Sequence, residues 1–217
     1  MEKDSLEDII KNGLATFVEN IPVPVDIWKS EDKYLIKDKI QLVDFAKSPS
    51  TNLPLKNMFY LAGYDSKEKI DQVVKEISKD PNKRKNLKKT LSKKTTEYLN
   101  SKWEEHKISI DVDIESDLNA SVAVQDNSDE DHYFDMSDRS QGFKQFVSLL
   151  LSISISSASG DTKDHLILID EPEVHLHPSG ARFMLKELLE IGKHNYLFIS
   201  THSNFMLDRD TKERHYL

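Results

Sequence analysis

The residues best placed to do chemistry follow a short apolar run. Leu166, Ile167, Leu168 and Ile169 lead into Asp170 and Glu171, and then into Pro172, Glu173, Val174, His175, Leu176, His177 and Pro178. Residues 165–169 read as a short buried strand, which puts both acids at its carboxyl end. Ligands of parallel α/β sheets bind beyond the carboxyl ends of the strands. An aspartate there can hold Mg²⁺, directly or through a water, because Mg²⁺ takes one or two carboxylates together with waters and phosphate oxygens. A glutamate one residue on points the other way. It can polarise a water aimed at a terminal phosphate, a contribution of roughly 10²–10⁴-fold in rate. An ordinary polar strand exit has the same composition, so the companions of the pair matter.

Two further groups are candidates. Arg139, Ser140, Gln141 and Gly142 stand at the head of an apolar-faced segment. Free N–H groups and a partial positive charge at a helix start suit a phosphate, although Ser140 is equally a good capping residue. Ser200, Thr201, His202 and Ser203 follow a second apolar run, Tyr196 to Ile199. A histidine there can bond a terminal phosphate or the attacking water, or be purely structural. Glu173, His175 and His177 invite a metal reading. Three groups within five residues do not define a zinc site without a further partner, so Asp170 remains the metal candidate.

These groups need a scaffold, and the composition changes along the chain suggest one. Residues 1–64 are mixed and broken by Pro22, Pro24, Pro49 and Pro54, and the stretch 34–43 fits a strand or a short helix. Residues 65–106 predict a helical arm or lobe. Ile70, Val73, Val74 and Ile77 recur at helical spacing, and a second helix carries Leu87, Leu91, Tyr98 and Trp103 beyond an Asp80-Pro81-Asn82 turn. Residues 107–217 turn to α/β character. Ile108, Ile110, Val112 and Ile114 alternate with polar residues, as do Leu118, Ala120, Val122 and Val124, which predicts a hairpin with one buried face. A helix is expected over 141–156 and another over 179–192, the latter facing inward through Phe183, Leu185, Leu188, Leu189 and Ile191. Strand, helix and strand at this spacing imply a parallel crossover.

Composition narrows the class. The 217 residues are 31% charged and 37% hydrophobic, with no cysteine. Disulfides and thiolate metal sites are therefore excluded. No run approaches the roughly 20 apolar residues that span a bilayer, and the start has no secretory pattern, so a cytoplasmic protein without membrane partners is expected. A net charge of −8 argues against attraction of the whole surface to nucleic acid. A local exception is the run holding Lys83, Arg84, Lys85, Lys88, Lys89, Lys93 and Lys94. It can contact DNA or RNA phosphates, or form a solvated helix face.

Taken together, the R-S-Q-G-F start at Arg139, the hhhhDEPxxHLHP run (a Walker B pattern) and the hhhSTHS run resemble the ABC-type ATPase superfamily. They are most similar to its OLD-like (overcoming lysogenization defect) AAA-family branch, found in phage defence. The resemblance is specific over 134–208 and diffuse over 55–125. It implies an α/β fold: part of an ABC-type P-loop NTPase core, with parallel strands, flanking helices and a β-hairpin, beside the helical arm. It also implies ATP and Mg²⁺ as cofactors and a homodimer or higher self-association through the core. By the same comparison Asp170 serves Mg²⁺, Glu171 is the catalytic base and His202 the switch histidine. Arg139, Ser140, Gln141 and Gly142 replace the transporter signature motif and contact a phosphate held by the opposite subunit. Relatives carry a G-x-x-x-x-G-K-[ST] phosphate loop, and no such loop occurs in this sequence.

Without that loop the sequence reads as the C-terminal half of an ATPase core, weak or inactive alone. The rival expectations are a non-hydrolysing scaffold or nucleic-acid-binding subunit, and a metal-dependent nuclease. In the superfamily the phosphate-loop strand lies between the Walker B strand and the switch-histidine strand. Its absence predicts that these two strands pair directly or that chains associate through the gap.

Overall fold

The computed structural model describes residues 24–29, 31, 33–102, 107–126, 134–135, 141–154 and 164–211. The chain forms β1 (Val25–Trp28), β2 (Ile40–Gln41), α1 (Leu42–Lys47), α2 (Leu53–Leu61), α3 (Lys67–Lys79) and α4 (Pro81–Lys102). Next come β3 (Ile108–Ile114), β4 (Asn119–Asp126) and the short β5 (Phe134–Asp135). The last part holds α5 (Gln141–Leu149) with a π turn (Leu150–Ser154), β6 (Leu166–Asp170), α6 (Pro178–Gly192) and β7 (Tyr196–Ser200). The fold is α/β, with parallel strands and flanking helices as expected. Among the described residues, no helix is long and apolar enough to cross a membrane.

One sheet has the order β1-β6-β7. All its neighbours are parallel, with Val25 opposite Leu166 and Leu166 opposite Tyr196. β6 therefore pairs directly with β7, one of the arrangements anticipated above. Alternate residues share a face. Trp28, Ile167 and Ile169 point into the core. The opposite face keeps Val25 50%, Ile27 49%, Tyr196 62% and Phe198 60% exposed. Strand β1 is an element that the sequence reading did not anticipate. Stretch 34–43, left open between strand and helix, contains both: the two residues of β2, then the start of α1.

The second sheet has the order β2-β4-β3, with β5 also on β4. The anticipated hairpin forms, with Ile110 opposite Val124 and Val112 opposite Val122, and its apolar set is buried. Pro81 starts α4 rather than merely ending α3: a first-turn proline has no N–H to lose, and Asp80 Oδ1 accepts from Asn82 N at 2.8 Å. The helix then lies along the edge of β3. Ser92 Oγ accepts from Val112 N at 2.8 Å, Thr96 Oγ1 from Ile110 N at 2.8 Å and Asn100 Oδ1 from Ile108 N at 2.9 Å. Four helical residues rise about 6 Å and two strand residues about 6.6 Å, so this spacing stays in step. The polar stripe occupies strand-edge groups that would otherwise invite another chain.

Helices α5 and α6 cover the inner face of the first sheet. Phe146 and Phe183 meet edge to face with centroids 5.7 Å apart. The buried stripe of α6 is Ala181, Met184, Leu188 and Ile191, joined by Glu187, whereas Phe183 and Leu185 are only partly covered. The anticipated face was thus off by part of a turn, because the apolar arc of this helix is wide. Burial pushes the Glu187 carboxyl above its ordinary range, while Lys102 pulls it back. In the π turn the Leu151 and Ser152 carbonyls accept from Asn57 Nδ2 at 2.7 and 3.0 Å. That buried asparagine satisfies carbonyls in an irregular turn and ties α2 to α5.

The start of α5 is packed against the loop after β6. A Cβ on Gly142 would lie 2.2 Å from the His175 carbonyl oxygen and 2.6 Å from its carbon. Glycine is required here by space, since both opposing atoms are backbone. Gly142→Ala is expected to push the loop away and to cost about 1–3 kcal/mol, measured by urea unfolding. An unchanged midpoint would mean that the two segments are not in contact.

Candidate functional site

Parallel pairing of β6 with β7 brings their carboxyl ends side by side, with Asp170 opposite Ser200. Ser200 Oγ donates to Asp170 Oδ1, and Glu171 N donates to Ser200 O at 3.0 Å. The chain turns sharply at this point. Glu171 has φ 41° and His175 φ 68°, in the left-handed region where a side chain costs about 1–3 kcal/mol. The turn leaves the Glu171 side chain half-exposed, with Oε1 3.2 Å from His202 Nε2. The imidazole is otherwise in solvent, 92% exposed. Asp170, Glu171 and His202, singled out separately in the sequence, are therefore brought to one end of one sheet.

Buried polar groups support this rim. Gln145, on α5, directs Nε2 to the Glu171 and Pro172 carbonyls at 3.4 and 3.3 Å. Glu173 is buried and accepts from Thr201 Oγ1. Thr201 Oγ1 in turn accepts from Ser203 N at 3.0 Å. The sequence pattern did not single out Gln145, and it gave Thr201 no role of its own. Thr201 stood beside the histidine that drew attention, and Gln145 lies on a helix with no visible link to residue 171.

Arg139 and Ser140 lie outside the described residues. Gln141 opens α5, and Gly142 places that helix start against the 173–177 loop. Of the segment compared with a signature motif, Gly142 is thus placed against the loop that follows the acids. His177 Nδ1 approaches Ser179 Oγ at 3.0 Å and caps α6, whose first residue is Pro178. His175 is exposed. Among the described residues, no group of three or more His, Cys, Asp or Glu side chains is arranged around a metal position. Asp170 and Ser200 fit the narrower demand of Mg²⁺, which takes one or two carboxylates and fills its remaining positions with waters and phosphate oxygens. A cavity of about 350 Å³ adjoins them, lined otherwise by apolar side chains including Ile27, Leu168 and Phe198.

The basic run lies on α4, where acids answer much of its charge. Lys83 pairs with Glu76 at 2.9 Å, Lys88 with Asp113, and Lys93 and Lys94 with Glu97 at 3.8 and 3.1 Å. Arg84 reaches the Ser116 carbonyl at 3.5 Å. Lys85 and Lys89 show no ion pair among the described residues. The surface is therefore less cationic than the run suggests.

Comparison with known proteins follows this geometry. A protein of Methanocaldococcus jannaschii with no assigned function is 25% identical over 123 residues, which is 55% of this chain and 32% of that protein. The chain thus spans about a third of the length of this curated relative. Among solved structures, an Smc head bound to the C-terminal winged-helix domain of ScpA aligns with TM-score 0.44 and 13% identity. That alignment covers 76% of this chain and 46% of that one. An Smc head of Pyrococcus yayanosii, with coiled coil and joint, aligns at TM-score 0.41 and 18% identity over 64% of this chain and 27% of that one. The AAA ATPase domain matches residues 29–207, a span that contains Asp170, Glu171 and His202, and the chain belongs to that family.

Proposed function

We propose that this chain supplies the metal carboxylate, the catalytic base and the switch histidine of an ABC-type, OLD-like ATPase core. A phosphate loop from other residues would complete that core. The observation that carries this reading is the 3.2 Å approach of His202 to Glu171, beside the carboxylate of Asp170. The OLD-like assignment rests on the DEPxxHLHP and STHS runs.

In this reading Asp170 and the Ser200 hydroxyl hold Mg²⁺, which when bound neutralises charge on the phosphate oxygens. Glu171 takes a proton from the water that attacks the terminal phosphorus. His202 holds the Glu171 carboxylate and presents a donor toward the same phosphate. The run Arg139, Ser140, Gln141 and Gly142 would contact a phosphate bound by a second subunit. Phosphoryl transfer depends on positioning and charge stabilisation. Lacking the loop that supplies much of both, this chain alone turns ATP over weakly or not at all.

The exposed face around Ile27, Tyr196 and Phe198 supports association, since contiguous apolar surface rimmed by polar groups marks an interaction site. Chains are expected to self-associate through this part of the core. Tyr196→Ser with Phe198→Ser should shift sedimentation toward monomer. A wild-type chain that sediments as a monomer at all concentrations would refute the association.

Hydrolysis is tested by Glu171→Gln in this chain joined to a segment that supplies a phosphate loop. Turnover is expected to fall about 10²–10⁴-fold while ATP binding is kept. Full turnover in the variant would remove Glu171 as the base.

A further inference from the structure

The Glu173 side chain is 8% exposed, yet it is acidic. Its Oε1 accepts from Thr201 Oγ1. Its Oε2 is buried and has no hydrogen-bond partner among the described residues, and the same holds for Gln145 Oε1. Burying a carboxylate is costly unless it is fully bonded, and an orphaned buried group of this kind calls for an explanation. Simple packing would not call for an acid here.

The connectivity indicates what the acid does. Thr201 Oγ1 is shared: it donates to Glu173 and accepts from Ser203 N at 3.0 Å. Ser203 Oγ then accepts from Phe205 N at 3.3 Å. His202 lies between the two residues that this chain of bonds fixes. Its own ring is almost wholly in solvent, and among the acids of the described residues it meets only Glu171, so its position depends on the backbone that carries it. The Glu173 backbone is anchored as well, since its carbonyl accepts from Leu176 N at 2.8 Å. Residues 171 and 173 thus belong to one rigid turn, and 201–203 to another.

We propose that Glu173 is a positioning residue: through Thr201 it locks the switch loop so that His202 meets Glu171. The inference rests on the ATPase reading for its purpose, but its geometry can be tested without turnover. The probe is backbone amide exchange, read by NMR on the full chain. Glu173→Ala and Thr201→Val should each speed exchange at Ser203 about tenfold or more, the loss of a charge-assisted bond. The double variant should be no worse than either single one. Thr201→Ser, and Glu173→Gln with its amide oxygen as acceptor, should restore protection. A purely structural role would instead lower the unfolding midpoint and raise exchange throughout.

In this chain joined to a segment that supplies a phosphate loop, Glu173→Ala should lower kcat and leave KM unchanged. Unchanged Ser203 exchange in Glu173→Ala, or single effects that add, would overturn the proposal. If Glu173→Ala does not fold, Thr201→Val and Thr201→Ser decide the matter by the same readout. Should Glu171→Gln keep full turnover, the ATPase reading fails while the exchange results stand. Should Glu171→Gln be inactive and Glu173→Ala keep its kcat, the positioning role alone fails.

Discussion

Parallel pairing of β6 with β7 is the constraint on which the site depends. Once Asp170 lies opposite Ser200, the loops that leave these strands must start about one strand spacing apart, roughly 4.8 Å. Glu171 and His202, each one or two residues further on, then have little choice but to meet. A register shift of one residue would turn Asp170 into the core and Ile169 toward solvent, so burial of Ile167 and Ile169 also protects the chemistry. The apolar strands and the acids that follow them are a single device.

The cost of this arrangement is visible around it. Glu171 sits at positive φ, and the turn is held by Gln145 from α5 and by the Ser200 carbonyl. Gly142 allows α5 to come close enough for Gln145 to reach. Glu173 is buried with one oxygen unanswered. Left-handed backbone, a forced glycine packed against the loop and an orphaned carboxylate form a locally expensive assembly. The surrounding core, through Phe146, Phe183 and the α6 stripe, over-determines it. The hairpin sheet contributes differently: α4 covers the edge of β3 with Ser92, Thr96 and Asn100. The exposed apolar face of the first sheet is left as the surface open to a partner.

Much of this was legible in the sequence because the relevant patterns are local. Alternation over 108–114 and 118–124 located the hairpin and its buried face, and apolar runs ending in Asp170 and Ser200 located both parallel strands. The acids and the histidine stood out through residue type and position. What was not legible depends on contacts between distant segments. Val25 to Trp28 is too short to show a period, and its strand character comes from pairing with residues 166–169. Gln145 and Asn57 have unremarkable neighbours in sequence, Thr201 was overshadowed by His202, and their roles lie in hydrogen bonds across 26, 94 and 28 residues. The inward face of α6 was misjudged because its apolar arc is wide: Phe183 and Leu185 lie at its margins, opposite the exposed Arg182, Lys186 and Glu190. Arg139 and Ser140 fall outside the described residues, so their part in the site rests on the sequence alone.

Calorimetric titration with ATP and Mg²⁺ tests the central claim most directly, first on this chain alone and then on a longer chain in which it is joined to a segment that supplies a phosphate loop. The account predicts binding only by the longer chain, with Asp170 and its neighbours completing a site that needs a separate phosphate loop. Binding by the short chain alone would contradict it, because these residues would then hold a nucleotide by means that the described geometry does not provide.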